Sequence, residues 1–316
     1  ANTVYAYAGN DTVYGQGGND IIYGGYGNDL VHGGIGNDTI YSDDGADIID
    51  GGTDIDLLLF TGGSARVVVN LSTSSITYDT TNSLAANRVL DSVGHTDTVV
   101  NLSIENVTGG TNADTFAGSA ANNVLNGADG NDYFYASLGN DTIIGGNGAD
   151  TLDFTNLTTT AGVNVTLNTS LSFSGITQTV TTMENFTGSS QNDTITGDGV
   201  ANVLNGGAGN DTIDGKAGID VINGGAGNDL FTIDFSAIDT IDGGANSDTV
   251  KSTSTYSLSA DTNFASAGNF TNIETLDISG MTLSSTNDTE YTFNDSTVGS
   301  WLGASTTLTL KLKSTQ

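Results

Sequence analysis

Positive charge is almost missing from this sequence. Lys and Arg together number 6 against 37 Asp and Glu, and the formal net charge is −31 at pH 7. The six cations, Arg66, Arg88, Lys216, Lys251, Lys311 and Lys313, are scattered and build no basic face, which excludes nucleic acid and anionic membrane surfaces as partners. There is no cysteine, so neither a disulfide framework nor a thiolate metal site is possible, and there is no proline. No run of about 20 apolar residues occurs, so no transmembrane segment is expected. His32 and His95 are the only histidines, and the chain contains neither HExxH nor GxSxG. The signatures of zinc metalloproteases and α/β-hydrolases are therefore missing. The adjacent Asp43 and Asp44 lie in a turn-forming stretch, where carboxylates face solvent or cations far more often than they act as an acid/base couple. No catalytic residue is assigned, and the chain is read as a non-enzyme.

Glycine, by contrast, is abundant, with 44 residues, and the glycines are phased. Between Ala6 and Leu59 the segments GQGGNDIIY, GGYGNDLVH and GGIGNDTIY follow one another without a spacer, and Asp11, Asp20, Asp29, Asp38, Asp47 and Asp56 fall nine residues apart. Such a period belongs to a repeat architecture. In each nonapeptide the first six residues are turn material, with glycine favoured at the first, second and fourth places. The last three form a short strand whose middle member is apolar: Val13, Ile22, Val31, Ile40, Ile49 and Leu58. That residue alone is expected to face the interior. Two nonapeptides complete one coil, so residues 18 apart stack, Asp11 over Asp29 and Asp20 over Asp38. The resulting apolar ladder contributes about 1.5–3 kcal/mol per side chain, too little to hold the coil unaided.

The expected fold is therefore all-β, a parallel β-roll solenoid with β inserts and a β-rich C-terminal cap. Its parts are a first repeat array at 1–59, a β insert at 60–108, a second array at 109–153, a second insert at 154–187, a third array at 188–251, and a cap or assembly region at 252–316. In the first insert Val67, Val69 and Leu71 alternate with other residues, which predicts strands laid on or beside the coil. The later arrays are copies at an offset of 79 residues: ENVTGGTNADTF from Glu105 matches ENFTGSSQNDTI from Glu184, and both carry Asn in the acidic place, at Asn123 and Asn202. Glu105 and Glu184 are read as structural. The third array slips by one residue before Asp239 and Asp248. Arrays need an end that hides the last rung, and the strand-like C-terminal region with Trp301 is assigned that role. Asn2 lies nine before Asp11, so the repeat is in register from the start and the sequence reads as a piece of a longer protein.

Stacked carboxylates with nothing basic beside them repel unless a cation lies between. Calcium takes six to eight hard oxygens, and a glycine turn offers carbonyls while the sixth-place Asp offers a carboxylate. These GGxGxDxUx turns resemble the calcium-binding β-roll of secreted RTX proteins over residues 6–59, 109–153 and 188–232. The resemblance implies several Ca2+ ions, each held between turns one coil apart. Carried onto this sequence, the carboxylate ligands are Asp11, Asp20, Asp29, Asp38, Asp47, Asp56, Asp114, Asp132, Asp141, Asp150, Asp193, Asp211, Asp220 and Asp229. The glycine positions carried over with them are Gly18, Gly25, Gly27, Gly34, Gly36, Gly45, Gly130, Gly139, Gly146, Gly148, Gly207, Gly209, Gly218, Gly225 and Gly227. The strongest sites pair Asp20 with Asp38, Asp29 with Asp47, Asp132 with Asp150 and Asp211 with Asp229. Asn123, Asn202, Asp54 at a fourth place and Lys216 at a second place depart from the pattern and weaken their turns. The first array, with Asp in every acidic place, is expected to fold first and bind most tightly.

The resemblance further implies type I secretion as an unfolded chain and calcium-triggered folding at a bacterial cell surface. Three functions follow: a self-assembling surface (S-)layer made of copies of this chain, a segment of an adhesin that binds a surface or a cell-surface polysaccharide, or the non-catalytic module of a secreted enzyme. Tyr5, Tyr23 and Tyr41 share one edge of the coil and Tyr14 and His32 the other, which suits cross-strand packing or a sugar platform. Ice binding is disfavoured, because the third place reads Ala8, Gly17, Tyr26, Ile35 and Asp44 rather than a flat rank of Thr and Asn.

Overall fold

The computed structural model describes residues 1–60, 65–100, 103–158, 161–233, 239–252, 270–277 and 309–311. Every regular element among them is a β-strand, and none is a helix long and apolar enough to cross a membrane. The chain divides into two compact units, one of Ala1–Asp153, Asn168–Ser170 and Ile176–Met183, the other of Phe154–Leu167, Leu171–Gly175 and Glu184–Gln316. Each is a parallel β-solenoid, as the period of nine requires. The cap expected at 252–316, with Trp301, lies almost entirely outside the described residues.

In the first unit two parallel ladders run side by side. One stacks Thr3–Tyr5, Ile21–Tyr23, Thr39–Ser42 and Leu57–Phe60, with Val4, Ile22, Ile40 and Leu58 in register. The other stacks Thr12–Gly17, Leu30–Ile35 and Ile48–Thr53, with Val13, Val31 and Ile49 in register. Successive nonapeptides thus feed opposite ladders. Beyond Val4, which is half-buried, the eighth-place side chains are buried, and in the second array the rung enlarges to Phe116 stacked on Phe134 with centroids 4.9 Å apart. They are not alone inside, however. The sixth-place carboxylates are buried as deeply, Asp20 and Asp38 at 1 % exposure, so the roll has a polar seam at each turn beside its apolar ladder.

The first insert joins the sheet instead of lying upon it. Thr96–Val99 adds parallel to Ile48–Thr53, Arg88–Leu90 follows antiparallel, and Val68–Asn70 closes the gap and pairs in parallel with Thr115–Ala117. One reversed strand keeps the stack continuous while the chain makes its excursion. The hairpin Ile76–Thr77 and Ser83–Leu84 covers the outer side of Val68, where Ile76, Leu84 and Ala117 form a small satellite core. Val68 is consequently as buried as Val67 and Val69, and the alternation seen in the sequence ends there.

The second unit repeats the plan. Asn164–Thr166, Thr194–Thr196, Thr212–Asp214 and Leu230–Ile233 form one ladder, and Asn185–Thr187, Val203–Ala208, Val221–Ala226 and Thr240–Ala245 the other. Val203 pairs with Val221, but Val221 pairs with Thr240 and Leu230 with Thr249, an offset larger by one residue. The slip in the third array is thereby absorbed without loss of register. Phe154 closes this unit's interior against Phe173 and Phe186, at 5.1 and 5.6 Å.

Candidate metal centre

The turns that join the strands bring the sixth-place acids into single file. Asp11 N–H donates to Asp29 Oδ1 at 2.8 Å, Asp29 N–H to Asp47 Oδ1 at 2.9 Å, and Asp47 N–H to Asp97 Oδ1 at 2.9 Å. On the other edge Asp20 donates to Asp38 and Asp38 to Asp56, both at 2.8 Å, and Asp56 donates to Glu105 Oε2 at 2.9 Å. The later arrays continue the rule, with Asp132 donating to Asp150, Asp193 to Asp211 and Asp211 to Asp229. One carboxylate oxygen of each acid therefore holds the preceding coil. The other oxygen, Oδ2, is buried without a hydrogen-bond donor in Asp11, Asp20, Asp29, Asp38, Asp56, Asp132, Asp211, Asp220 and Asp229. A buried charged oxygen without a partner costs several kcal/mol, on the order of the desolvation penalty of an ion. A cation at each such oxygen removes that cost.

Glycine makes room around these oxygens in two ways. The second- and fourth-place glycines carried over from the family pattern all have positive φ. A side chain on Gly25 (φ +93°) or Gly27 (φ +121°) would also run into the carbonyls of Tyr7 and Gly9 in the preceding coil. First-place glycines have ordinary φ, and crowding alone demands them. A Cβ on Gly24 would stand 2.8 Å from Asp29 Oδ2, and one on Gly206 would stand 2.6 Å from the Gly224 carbonyl oxygen while colliding with Asp211 Oδ2. Orphaned carboxylate oxygens and backbone carbonyls thus converge on spaces that only a missing side chain leaves open. No group of three or more His, Asp or Glu side chains among the described residues is close enough to hold a metal by itself. Backbone carbonyls must therefore supply most of the oxygens, a donor set that suits a hard cation such as calcium.

Not every turn is alike. Asp114 Oδ2 accepts from Gly110 N–H at 2.7 Å, Asp193 Oδ2 from Ser189 N–H at 2.7 Å, and Asp141 Oδ2 from Ser137 Oγ at 2.8 Å. Asn123 Oδ1 accepts from Ser119 N–H and Asn202 Oδ1 from Asp198 N–H, while their amide nitrogens donate to the carbonyls of Glu105 and Glu184. These five turns satisfy their sixth-place group from within the chain. Lys216, at its second place, turns outward to Asp214 Oδ2 at 2.7 Å and leaves Asp220 Oδ2 without a donor. Asp54 accepts from Gly36 N–H at 3.1 Å.

Several contributors escape a search of the sequence for Gly and Asp. The fifth-place Asn accepts from the backbone 18 residues on, as in Asn28 N–H to Asn10 Oδ1 and Asn37 N–H to Asn19 Oδ1. The repeated dipeptide Asn-Asp was its signal. Asp97, Glu105 and Glu274 extend the carboxylate file where the period of nine is broken, Glu274 accepting from Asp248 N–H at 2.7 Å. Asp97 and Glu274 lie outside the arrays, whereas Glu105 stands nine residues before Asp114 and keeps the register with a longer side chain.

Burial pushes the metal-free carboxyls upward: Asp47, Asp56, Asp220 and Asp248 to about 6, Asp132 and Asp211 to about 7, and Asp97 to about 8. Hydrogen bonds from the preceding backbone oppose the shift without cancelling it. The two histidines stand apart from the files. His32 Nδ1 lies 3.3 Å from Asp50 Oδ2 and its ring stacks on Tyr14, while His95 Nδ1 lies 3.2 Å from Asp44 Oδ1. Tyr5, Tyr23 and Tyr41 stack face to face at 4.7 and 4.1 Å.

Comparison with known proteins returns the same assignment. No curated protein matches the chain. The family described as the RTX calcium-binding nonapeptide repeat (4 copies) matches at residues 1–29, 23–58, 108–143, 129–155, 184–213, 205–232 and 236–252, together more than half of the sequence. Repeats of this family bind calcium, and their number here implies several ions. With its parallel coils and its files of turn carboxylates, the chain belongs to the RTX calcium-binding nonapeptide repeat family.

Proposed function

We propose that this chain is a calcium-dependent extracellular structural protein that folds on binding calcium and assembles with copies of itself into a surface layer. Calcium supplies the positive charge that lets stacked carboxylates lie buried. The orphaned oxygens of Asp11, Asp20, Asp29, Asp38, Asp56, Asp132, Asp211, Asp220 and Asp229, with the carbonyls of their glycine turns, are the groups that hold it. Members of the family are typically secreted by the type I route, and an acidic chain that stays unfolded until it meets calcium suits that passage.

The observation that carries self-assembly is the row of outward-facing seventh-place residues. Thr12, Ile21, Leu30, Thr39, Ile48 and Leu57 carry no charge, nor do Thr194, Val203, Thr212, Val221 and Leu230. Ile21, Ile48, Val203 and Val221 are 40–49 % exposed. Most of the acids lie in the turns, so the seventh-place rows present neutral Thr, Ile, Val and Leu side chains between acidic edges, beside ninth-place residues that include Asp50, Asp214 and Asp242. Such rows can meet copies of themselves once the edges are neutralised. Light scattering and electron microscopy during a calcium titration test this: an ordered two-dimensional lattice is expected, and a particle that remains monomeric at high protein and calcium concentration overturns it.

A second reading is an adhesin segment. A groove of about 470 Å³ lined by Tyr5, Tyr7, Tyr23, Tyr26, Asp43 and Asp44 combines aromatic rings with hydrogen-bonding carboxylates, the means by which proteins hold sugars. Glycan binding by calcium-loaded monomers favours that reading. A catalytic domain in a longer reading frame favours an enzyme's accessory module.

A further inference from the structure

The stack of the second array ends on a residue of unlike chemistry. Thr179 pairs with Thr142, which puts Gln178 in the sixth-place register where the preceding coil carries Asp141. Gln178 is fully buried. Its Nε2 lies 2.7 Å from Asp141 Oδ2, 3.0 Å from the Ser137 carbonyl oxygen and 3.3 Å from the Gly139 carbonyl oxygen. Ser137 and Gly139 occupy the second and fourth places of that turn. One nitrogen therefore gathers two turn carbonyls and the sixth-place carboxylate, the kind of oxygen set that elsewhere waits for a cation. Ser137 Oγ completes the shell around Asp141 Oδ2 at 2.8 Å.

The chemistry of the exchange is specific. An Asp here would present only acceptors, whereas an amide presents two N–H donors on a side chain one methylene longer, enough to reach back into the preceding turn. The rule by which each sixth-place acid accepts from the coil before it is given up in return, and Gln178 Oε1 is buried without a hydrogen-bond partner. The chain bears that cost where the Gln178 nitrogen faces the Asp141 carboxylate.

We propose that the Gln178 side-chain amide stands in for a cation at the turn 136–141, so that this turn binds no calcium. The inference rests on the reading that the turns with orphaned oxygens hold calcium. It is tested on the full chain by counting bound calcium after equilibrium dialysis and by melting over a range of calcium concentrations. D38N, at an orphaned oxygen, should lower the count by at least one ion per chain, and D141N should leave it unchanged. Q178E keeps the size of the side chain but turns the donor into an acceptor. It should add one ion per chain and make the melting temperature rise more steeply with calcium concentration than that of the native chain. A loss on D141N equal to that on D38N overturns the inference, as does a Q178E variant that binds no further ion. No loss on D38N overturns the calcium reading of the orphaned oxygens, and this inference with it.

Discussion

At the scale of single residues the roll is governed by what a missing side chain allows. Gly33 has an ordinary φ, yet a Cβ there would collide with Asp38 Oδ2 and the Gly51 carbonyl, whereas Gly199 has nothing within 4 Å. G33A is therefore expected to cost about 1–3 kcal/mol by overpacking, with weakened calcium binding, measured as a fall in melting temperature and a higher calcium midpoint. G199A should be neutral or stabilising by up to about 1 kcal/mol, through the unfolded state. Equal effects of the two would mean that the first place does not face the ligand space. Glycine's phasing at the first, second and fourth places is legible in the sequence, but the reason for each place is not. Positive φ explains the second and fourth, and only the folded turn reveals that the first glycine faces a carboxylate. The inward turn of Asp20 and Asp38 was hidden for a related reason, since an acid in a turn ordinarily points to water.

At the scale of elements, three-residue strands gain cohesion only by stacking. Ile22, Ile40 and Leu58 are each fully buried between neighbouring rungs, so I40A should cost about 2–5 kcal/mol. In a stack whose members touch only their neighbours the damage stays local. Hydrogen exchange in calcium should therefore quicken in Ile21–Tyr23, Thr39–Ser42 and Leu57–Phe60 while Val203–Ala208 and Val221–Ala226 keep their protection. Exchange that quickens uniformly would contradict a nearest-neighbour roll. The period of nine made coil, register and rung legible in advance, because those depend on residues at fixed spacing. The first insert was not, for no local pattern tells that Arg88–Leu90 runs antiparallel between two strands and rejoins Val68–Asn70 to the main ladder. Pairings between residues tens of positions apart leave no period to find.

At the scale of the whole molecule, 37 acids against 6 bases make folding a question of charge. Burial raises Asp132 and Asp211 to about 7, and Asp56, Asp220 and Asp248 to about 6, from 3.8. The metal-free fold therefore holds more protons than the unfolded chain between about pH 4 and pH 7. It gains stability as the pH falls through that window and loses it as the pH rises through 6 to 7. Calcium must displace the same protons, so its midpoint concentration rises on acidification. The circular dichroism strand signal of calcium-free protein at pH 5 and pH 7.5 checks the sign: the larger signal belongs to pH 5, and an equal or smaller one there contradicts buried acids of raised pKa. The most direct measurement of calcium-coupled folding is the circular dichroism strand signal during a titration from chelator into calcium at pH 7.5. An incomplete signal in chelator that grows to a plateau as calcium binds is the predicted result, and a strand signal already complete in chelator contradicts it.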